Sequence, residues 1–324
     1  MERRDDVYQA YWQLAVERQA IFEARQKGAG RPWTDDPILA RYKFTNAWRA
    51  SDRVSQFLIR EVIYAHRQLP AEDVLARIVL FRLFSRPATW RALEAELGPI
   101  GRRTLSRPRL PALLGALQDR GPIYTAAFIL CANKAYGHDR KYLNHLELVR
   151  EMLRGGRLPR AVARARGLGD LYETLAGFPL IGPFMAYQLA IDINYAELVD
   201  FDEDEFTVPG PGAERGIRKV FPNVKRAQMP GVIDAMVASQ AEACEALGLT
   251  APTLYGRPLR AIDAQNLFCE LDKYARVAFP HLASDRSRIK ATFSPSPEPL
   301  ALFYPPKWGL NDRLPGPGPA AVAA

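Results

Sequence analysis

The sequence predicts an all-α protein, and three observations carry that expectation. Apolar residues recur at three- and four-residue spacing over 7–25, 45–66, 71–84, 90–97, 111–119, 143–153, 231–247 and 262–277. That period lays them along one face of a helix. Proline and glycine punctuate these stretches, as at Gly28-Ala29-Gly30-Arg31-Pro32 and Gly98-Pro99. Alternating strand patterns are almost absent. The exception, Glu205-Phe206-Thr207-Val208, is too brief to seed a sheet.

The chain of 324 residues is 48% hydrophobic and 25% charged, the balance of an ordinary globular protein with a substantial core. Its longest apolar run, 122–132, is too short to cross a bilayer, so no membrane partner is expected. The first residues, Met1-Glu2-Arg3-Arg4-Asp5-Asp6, lead into no signal-peptide pattern. Cys131, Cys244 and Cys269 are odd in number and far apart, which suits neither a disulfide framework nor a paired C-x-x-C zinc site. A reducing, cytoplasmic setting follows, with no metal and no cofactor expected.

Charge is unevenly spread. Lys and Arg number 44 against 36 Asp and Glu, and residues 101–170 hold 14 of the former and five of the latter. This block includes Arg102, Arg103, Arg107, Arg109, Arg154, Arg157, Arg160, Arg164 and Arg166. It reads as a surface for a polyanion such as nucleic acid, or else as a merely solvated arginine-rich face.

The second helical stretch, 45–66, carries a polar stripe. Asn46, Arg49, Arg53, Gln56 and Arg60 are spaced three, four, three and four apart and are expected on one face. Three arginines beside two amides suit phosphate oxygens or base edges; a plain solvent-facing stripe has the same spacing. Thr45 stands at the expected cap, and Asp52 is within reach of Arg49.

Further on, Leu175-Ala176-Gly177-Phe178-Pro179-Leu180-Ile181-Gly182-Pro183-Phe184-Met185-Ala186 reads as a helix end, a tight turn and a new apolar helix. It resembles the helix-hairpin-helix motif of DNA glycosylases, whose turn offers backbone amides to a DNA phosphate. The motif's usual first glycine is Leu180 here, and the lysine of bifunctional glycosylase-lyases has no counterpart because Pro183 follows Gly182. A simple corner with proline opening the second helix accounts for the same residues.

Residues 197–205 (ELVDFDEDE) hold six carboxylates in nine positions. In helix-hairpin-helix glycosylases an aspartate stands a helix and a short loop beyond the hairpin. Asp204 falls 22 positions past Gly182, with Asp200 and Asp202 as neighbouring alternatives. Such a cluster suits a general base or an ammonium site, or is a plain acidic loop. Directly after it come Gly210, Gly212 and Gly216, which make no G-x-G-x-x-G fingerprint, and no G-x-x-x-x-G-K-[ST] occurs in these residues. The segment is expected to form an anion nest at a helix start, with Arg215 and Lys219 one turn apart.

Four segments taken together resemble one family. They are TNAWRASDRVSQFLIR (45–60), FPLIGPFMAYQLAIDINY (178–195), DFDEDEFTVPGPGAERGIRKVF (200–221) and DAQNLFCELDKYAR (263–276). They are similar to the helical domain of phage 5-hydroxymethyl-deoxyuridine DNA kinases. The same domain stands alone in the amino acid:DNA transferases, formerly α-glutamyl/putrescinyl thymine pyrophosphorylases, relatives of helix-hairpin-helix DNA glycosylases. The resemblance runs from about Arg41 to Phe279. It implies an N-terminal helical extension over 1–40, a transferase domain over 41–293 with its hairpin at 175–195, and a proline-rich tail over 294–324. That tail holds eight of the 26 prolines and is expected to dock through Phe303, Tyr304 and Trp308.

The resemblance also implies a reaction. An amino acid, glycine as first guess, replaces the phosphate of 5-phosphomethyl- or 5-pyrophosphomethyl-deoxyuridine in double-stranded DNA, a step of thymidine hypermodification that protects a phage genome from restriction. The functional partner is a 5-hydroxymethyl-deoxyuridine DNA kinase, and the setting the host cytoplasm. The absence of a P-loop from these residues favours transferase over kinase. By motif position, Asp204 or Asp202 serves the amine, and Gly212, Arg215 and Lys219, beside Gly210, serve the phosphate. Gly182 contacts DNA. Asn46, Arg49 and Arg53 hold the nucleotide, while Gln265, Asn266, Glu270, Asp272 and Lys273 complete the pocket, or Glu270 and Lys273 are simply an exposed ion pair. A DNA glycosylase and a non-catalytic DNA-binding module are the rival readings.

Overall fold

The computed structural model describes residues 2–66, 69–125, 134–282, 286, 288–296 and 300–315. Cys131 and most of the apolar run 122–132 lie outside the described residues. The protein is all-α, and its described residues contain no strand, only isolated bridges pairing Tyr42 with Thr292 and Leu254 with Arg257. The helices begin with α1 (Asp5–Gln26), α2 (Pro37–Arg41), α3 (Arg53–Phe57), α4 (Ala71–Phe84), α5 (Pro87–Leu97), α6 (Arg102–Leu105) and α7 (Arg109–Arg120). There follow α8 (Lys141–Leu153), α9 (Arg157–Arg164), α10 (Leu168–Ala176), α11 (Pro183–Asn194), α12 (Pro211–Val220), α13 (Met229–Ala238), α14 (Gln240–Ala246) and α15 (Ala261–Ala278).

These elements form two compact units. The first takes in Met1–Asp52, Phe206–Leu302 and the described residues from Gly309 onward; the second takes in Arg53–Glu205 and Phe303–Trp308. In the first unit α15 is the hub, with α1, α2, α12 and α13 packed on it. Asp5 and Asp6 open α1 where acidic side chains favour the helix dipole. Its buried Val7, Tyr11, Leu14, Ile21 and Phe22 face the core, and the Tyr11 ring lies 4.6 Å from that of Phe268 on α15.

Helix α12 starts at Gly210 with Pro211 in its first turn, where a missing N–H costs nothing. It approaches α15 so closely that a Cβ at Gly212 would run into Cys269 Sγ, and one at Gly216 into the Phe268 carbonyl. The expected single helix 231–247 is broken at Ser239, whose hydroxyl donates to the Ala235 carbonyl at 2.8 Å. Gln240 Nε2 next door donates to the Val237 carbonyl at 2.8 Å, so side chains take bonds the continuous helix needs.

In the second unit α4 is central, contacted by α6, α8, α9 and α11. A fully buried ion pair joins two of these helices: Arg82 of α4 donates through Nη2 to Asp192 Oδ1 of α11 at 2.8 Å, and through Nε to Oδ2. The expected docking of the tail is observed. Tyr304 is buried and stacks on Trp308, whose ring meets Tyr195 edge-on at 5.7 Å. The Phe303 amide donates to Gln56 Oε1 at 2.8 Å.

The stretch 45–66 departs from the expected helix. Residues 45–52 are a loop with one 3-10 turn (Arg49–Ser51), α3 covers five residues, and Leu58–Ile63 is a π-helix. The loop resists helix formation because side chains claim its backbone. Asp52 Oδ1 accepts the Asn46 N–H at 2.8 Å, Asp263 Oδ1 accepts the Arg49 N–H at 2.8 Å, and Arg18 Nε donates to the Thr45 carbonyl at 2.8 Å. The π-helix closes with Tyr64 N–H bonded five residues back to Ile59, and buried Arg77 donates to the carbonyls of Glu61 and Val62 at its end.

Candidate functional site

The single-face stripe of Asn46, Arg49, Arg53, Gln56 and Arg60 is therefore corrected. Asn46 and Arg49 sit in the loop of the first unit, both buried, whereas Arg53, Gln56 and Arg60 belong to α3 and the π-helix of the second. Arg60 pairs with Glu61 at 2.7 Å.

What the loop does form is a polar layer against one face of α15. Residues 263, 266, 270 and 273 recur at helical spacing and all meet the loop. Asp263 bridges to the Arg49 amide, and Asn266 Nδ2 donates to Thr45 Oγ1 at 3.0 Å. Glu270 Oε2 accepts the Thr45 N–H at 3.0 Å and pairs with Lys273 Nζ at 2.6 Å; that ammonium also lies 4.6 Å over the Phe44 ring. Asn46 spans the loop by donating to the Ser51 carbonyl at 2.7 Å while its oxygen accepts from Arg18 at 3.3 Å.

Half-buried Asp52 occupies the edge of this layer. Burial pushes its carboxyl up to about 7; Glu270 pushes the same way, and the Asn46 amide, Arg18 and Arg49 pull it down. A carboxyl that exchanges its proton near neutrality, in the field of two guanidinium groups and a second carboxylate, is suited to proton transfer.

The next face of α15 carries a second charge cluster. Asp272 is fully buried and receives Lys219 Nζ at 2.8 Å, Arg276 Nη2 at 2.7 Å and Arg215 Nε at 3.1 Å. Burial alone would raise its pKa. Hydrogen bonds from Lys219 and Arg276, with the charges of Lys219 and Arg215, outweigh that and hold the carboxyl below its ordinary value.

This arrangement corrects the anion nest. Gly212 and Gly216 are small because α15 leaves no room for a side chain, Gly210 caps α12, and buried Lys219 spends its ammonium on Asp272. Asp272 itself is a clamp between helices and is too enclosed to touch a substrate. Arg215 keeps part of its guanidinium exposed. Gln265 is buried, and its Oε1 has no hydrogen-bond partner among the described residues. Burial against Gly212 pushes the Cys269 thiol up to about 12, which keeps it protonated and unreactive.

In the second unit the hairpin has the expected form: α10 and α11 pack together across the turn 177–182. Leu180, standing where the motif has glycine, adopts a left-handed φ of +67°. Gly182 caps α11 and faces open space. The acidic loop is tied down. Glu205 accepts the Leu168 N–H at the start of α10, Asp202 Oδ1 accepts the Asp204 N–H at 3.0 Å, and Asp200 pairs with Lys307 at 3.5 Å. Asp202 is exposed and Asp204 half-buried. Nothing in the sequence marks Arg18 for the polar layer; Asp52 is visible there only as within reach of Arg49, and Asp263 only as the first residue of the last motif segment.

Among the described residues no helix is long and apolar enough to cross a membrane, and no group of three or more His, Cys, Asp or Glu is placed to hold a metal ion. No solved structure matches the chain. A protein of Bacillus phage SP10 named "5-hmdU DNA kinase" is 28% identical over 315 residues, covering 88% of this chain and 47% of that protein. The chain thus spans about half the length of this curated relative. The family model described as "5-hmdU DNA kinase, helical domain" matches residues 5–284, which takes in α1 as well as the four motif segments. On that match, the chain belongs to the family of the 5-hmdU DNA kinase helical domain.

Proposed function

We propose that this domain transfers an amino acid to 5-phosphomethyl-deoxyuridine in DNA, a step in the hypermodification of thymidine that shields a phage genome from restriction. The relative's name supplies the modified base and the DNA. The observation that carries the chemistry is the polar layer on α15, where Asp52 and Glu270 interleave with Arg18 and Arg49. An amino acid is itself a cation and an anion one carbon apart, and such alternation of carboxylate and guanidinium receives both ends.

In the reaction, the amino acid's nitrogen lone pair forms a bond to the methylene carbon of the uracil. The carbon–oxygen bond breaks, and its electron pair leaves on phosphate, or on pyrophosphate from the pyrophosphomethyl substrate. The amine's proton passes to Asp52, whose carboxyl exchanges protons near pH 7. Arg215, with its exposed edge, is the group for the leaving phosphate. The nucleotide must leave the base stack to be reached; half-buried Asn266 is the group to meet it, and the buried Asn46 and Arg49 shape the loop behind. The hairpin at 175–195 serves the DNA backbone as it does in glycosylases, and a 5-hydroxymethyl-deoxyuridine DNA kinase supplies the phosphorylated substrate. The energy then resides in the phosphoester, and the 324 residues contain no phosphate-binding P-loop motif.

Duplex DNA containing 5-phosphomethyl-deoxyuridine is incubated with a mixture of amino acids without ATP, digested and analysed by mass spectrometry. A nucleoside carrying an amino acid on the thymine methyl carbon is the expected product. Released base or an abasic site would make the protein a glycosylase, and unchanged DNA with every amino acid would leave a binding module. Asp52→Asn and Asp204→Asn in the same assay separate the polar layer from the acidic loop as the source of the base.

A further inference from the structure

We propose that an arginine-lined groove in the second unit seats consecutive phosphates of the DNA backbone; the assignment rests on DNA being the macromolecular substrate. The groove encloses about 490 Å³ between α6, α8, the Gly155-Gly156 turn and α9, with the first turn of α4 along one side. Five arginines line it against a single carboxylate, Glu72. Arg103, Arg154 and Arg160 are exposed, and among the described residues none of the three is ion-paired. Arg102 is held by Glu72, while Arg150 is fixed by the Leu105 carbonyl at 2.9 Å and Glu147 at 2.6 Å.

The backbone adds to the same field. Gly155 and Gly156 take successive left-handed φ values of +56° and +71°, and the turn they make leads directly into α9. The positive end of that helix dipole therefore opens onto the groove. A Cβ on Gly156 would come within 3.1 Å of the Arg160 guanidinium and 3.6 Å of the Glu72 carboxylate. Glycine thus lets the one internal anion and a groove arginine share the corner. Glu72, paired with Arg102, is the anion with which an entering phosphate would compete.

Size and lining select the occupant. The groove is far larger than one phosphate, its cations come from α6, α8, the 3-10 turn after it and α9, and among the described residues no aromatic ring lines it to stack a base or nucleoside. That pattern suits sequence-indifferent contact with a phosphodiester chain. At its edge Arg157, the first residue of α9, pairs with Glu151 at 3.1 Å and lies 4.4 Å over the ring of Phe178, so the lining reaches the hairpin turn.

The test uses the full chain and a fluorescent duplex of about 20 base pairs, sized to span several phosphates. Anisotropy is measured across a salt series, and circular dichroism checks folding. With each phosphate contact contributing ~0.9 to the slope of log K against log salt, the triple variant Arg103→Ala/Arg154→Ala/Arg160→Ala should lose about two to three units of slope on any sequence. Glu72→Gln should bind more tightly than the unmodified chain, because the competing carboxylate is gone. An unchanged slope and affinity in the triple variant would overturn the groove, as would a chain that binds RNA but not duplex DNA. If the slope falls while no amino-acid adduct forms, the groove stands and the transferase reading fails; the reverse result separates them the other way.

Discussion

The α15 layers of the first unit and the arginine groove of the second spend charge in opposite ways. Around Asp272, three cations converge on one buried carboxylate and every contact is internal. Along the groove, arginines outnumber carboxylates, and three of them are exposed without an ion-pair partner among the described residues. Where opposite charges are matched and enclosed, their removal breaks shape. Where one sign is in surplus and exposed, the compensating charge has to come from another molecule.

The largest effect expected from this contrast is on stability. Asp272→Ala strands buried Lys219 without its anion and should cost about 3–5 kcal/mol, read as a lowered urea midpoint. A variant within 1 kcal/mol of the parent would mean that the cluster is hydrated and no clamp. Next comes Gly216→Ala, which drives a methyl group into the Phe268 carbonyl; about 1–3 kcal/mol is the usual cost of such overpacking. An unaffected melting temperature would show that α12 and α15 separate freely.

A smaller effect concerns pH. Asp52 is protonated to about pH 7 in the folded chain but ionises near the ordinary carboxylate value once unfolded. Between those values the folded state binds the extra proton, so stability falls as pH rises through that window and levels off above it. Asp52→Asn should flatten this fall, checked by denaturation at pH 5 and pH 8. A parallel shift at both pH values would sink the assignment. Least of all, Arg102→Ala removes an exposed pair with Glu72 and should change stability by no more than about 1 kcal/mol. A collapse of the fold in this variant would place the groove among the structural clusters and dissolve the comparison.

The sequence made the helices legible because periodicity survives in long amphipathic segments. Helix 71–84 is observed with the expected bounds, and 262–277 and 7–25 differ only at their ends. It failed where side chains rather than neighbours satisfy the backbone. The spacing of Asn46, Arg49 and Arg53 is helical, yet Asp52, Asp263 and Arg18 capture the amides and carbonyls that a helix would use, and two of these lie far away in sequence. Glycine misled in the same manner. At 210–216 it resembled a ligand-binding loop, and the reason for Gly212 and Gly216 is Cys269 and Phe268, each more than fifty residues later. The cations at 215 and 219 were visible, but their carboxylate at 272 became a partner only through the packing of α12 on α15. The hairpin, a local feature, was read correctly as helix, turn and helix.

The pairing of α1 with α15 also sets a timetable for synthesis. About 235 residues separate the end of the first helix from the start of the helix that covers it. At roughly 5–20 residues per second, α1 leaves the ribosome some 10–50 s before its counterpart exists. Through that interval Tyr11, Leu14, Ile21 and Phe22 have no hub to cover them, while residues 53–205 can already assemble their own core. Helix α1 thus waits longest for the helix that covers it, and it is where a chaperone has the most to protect.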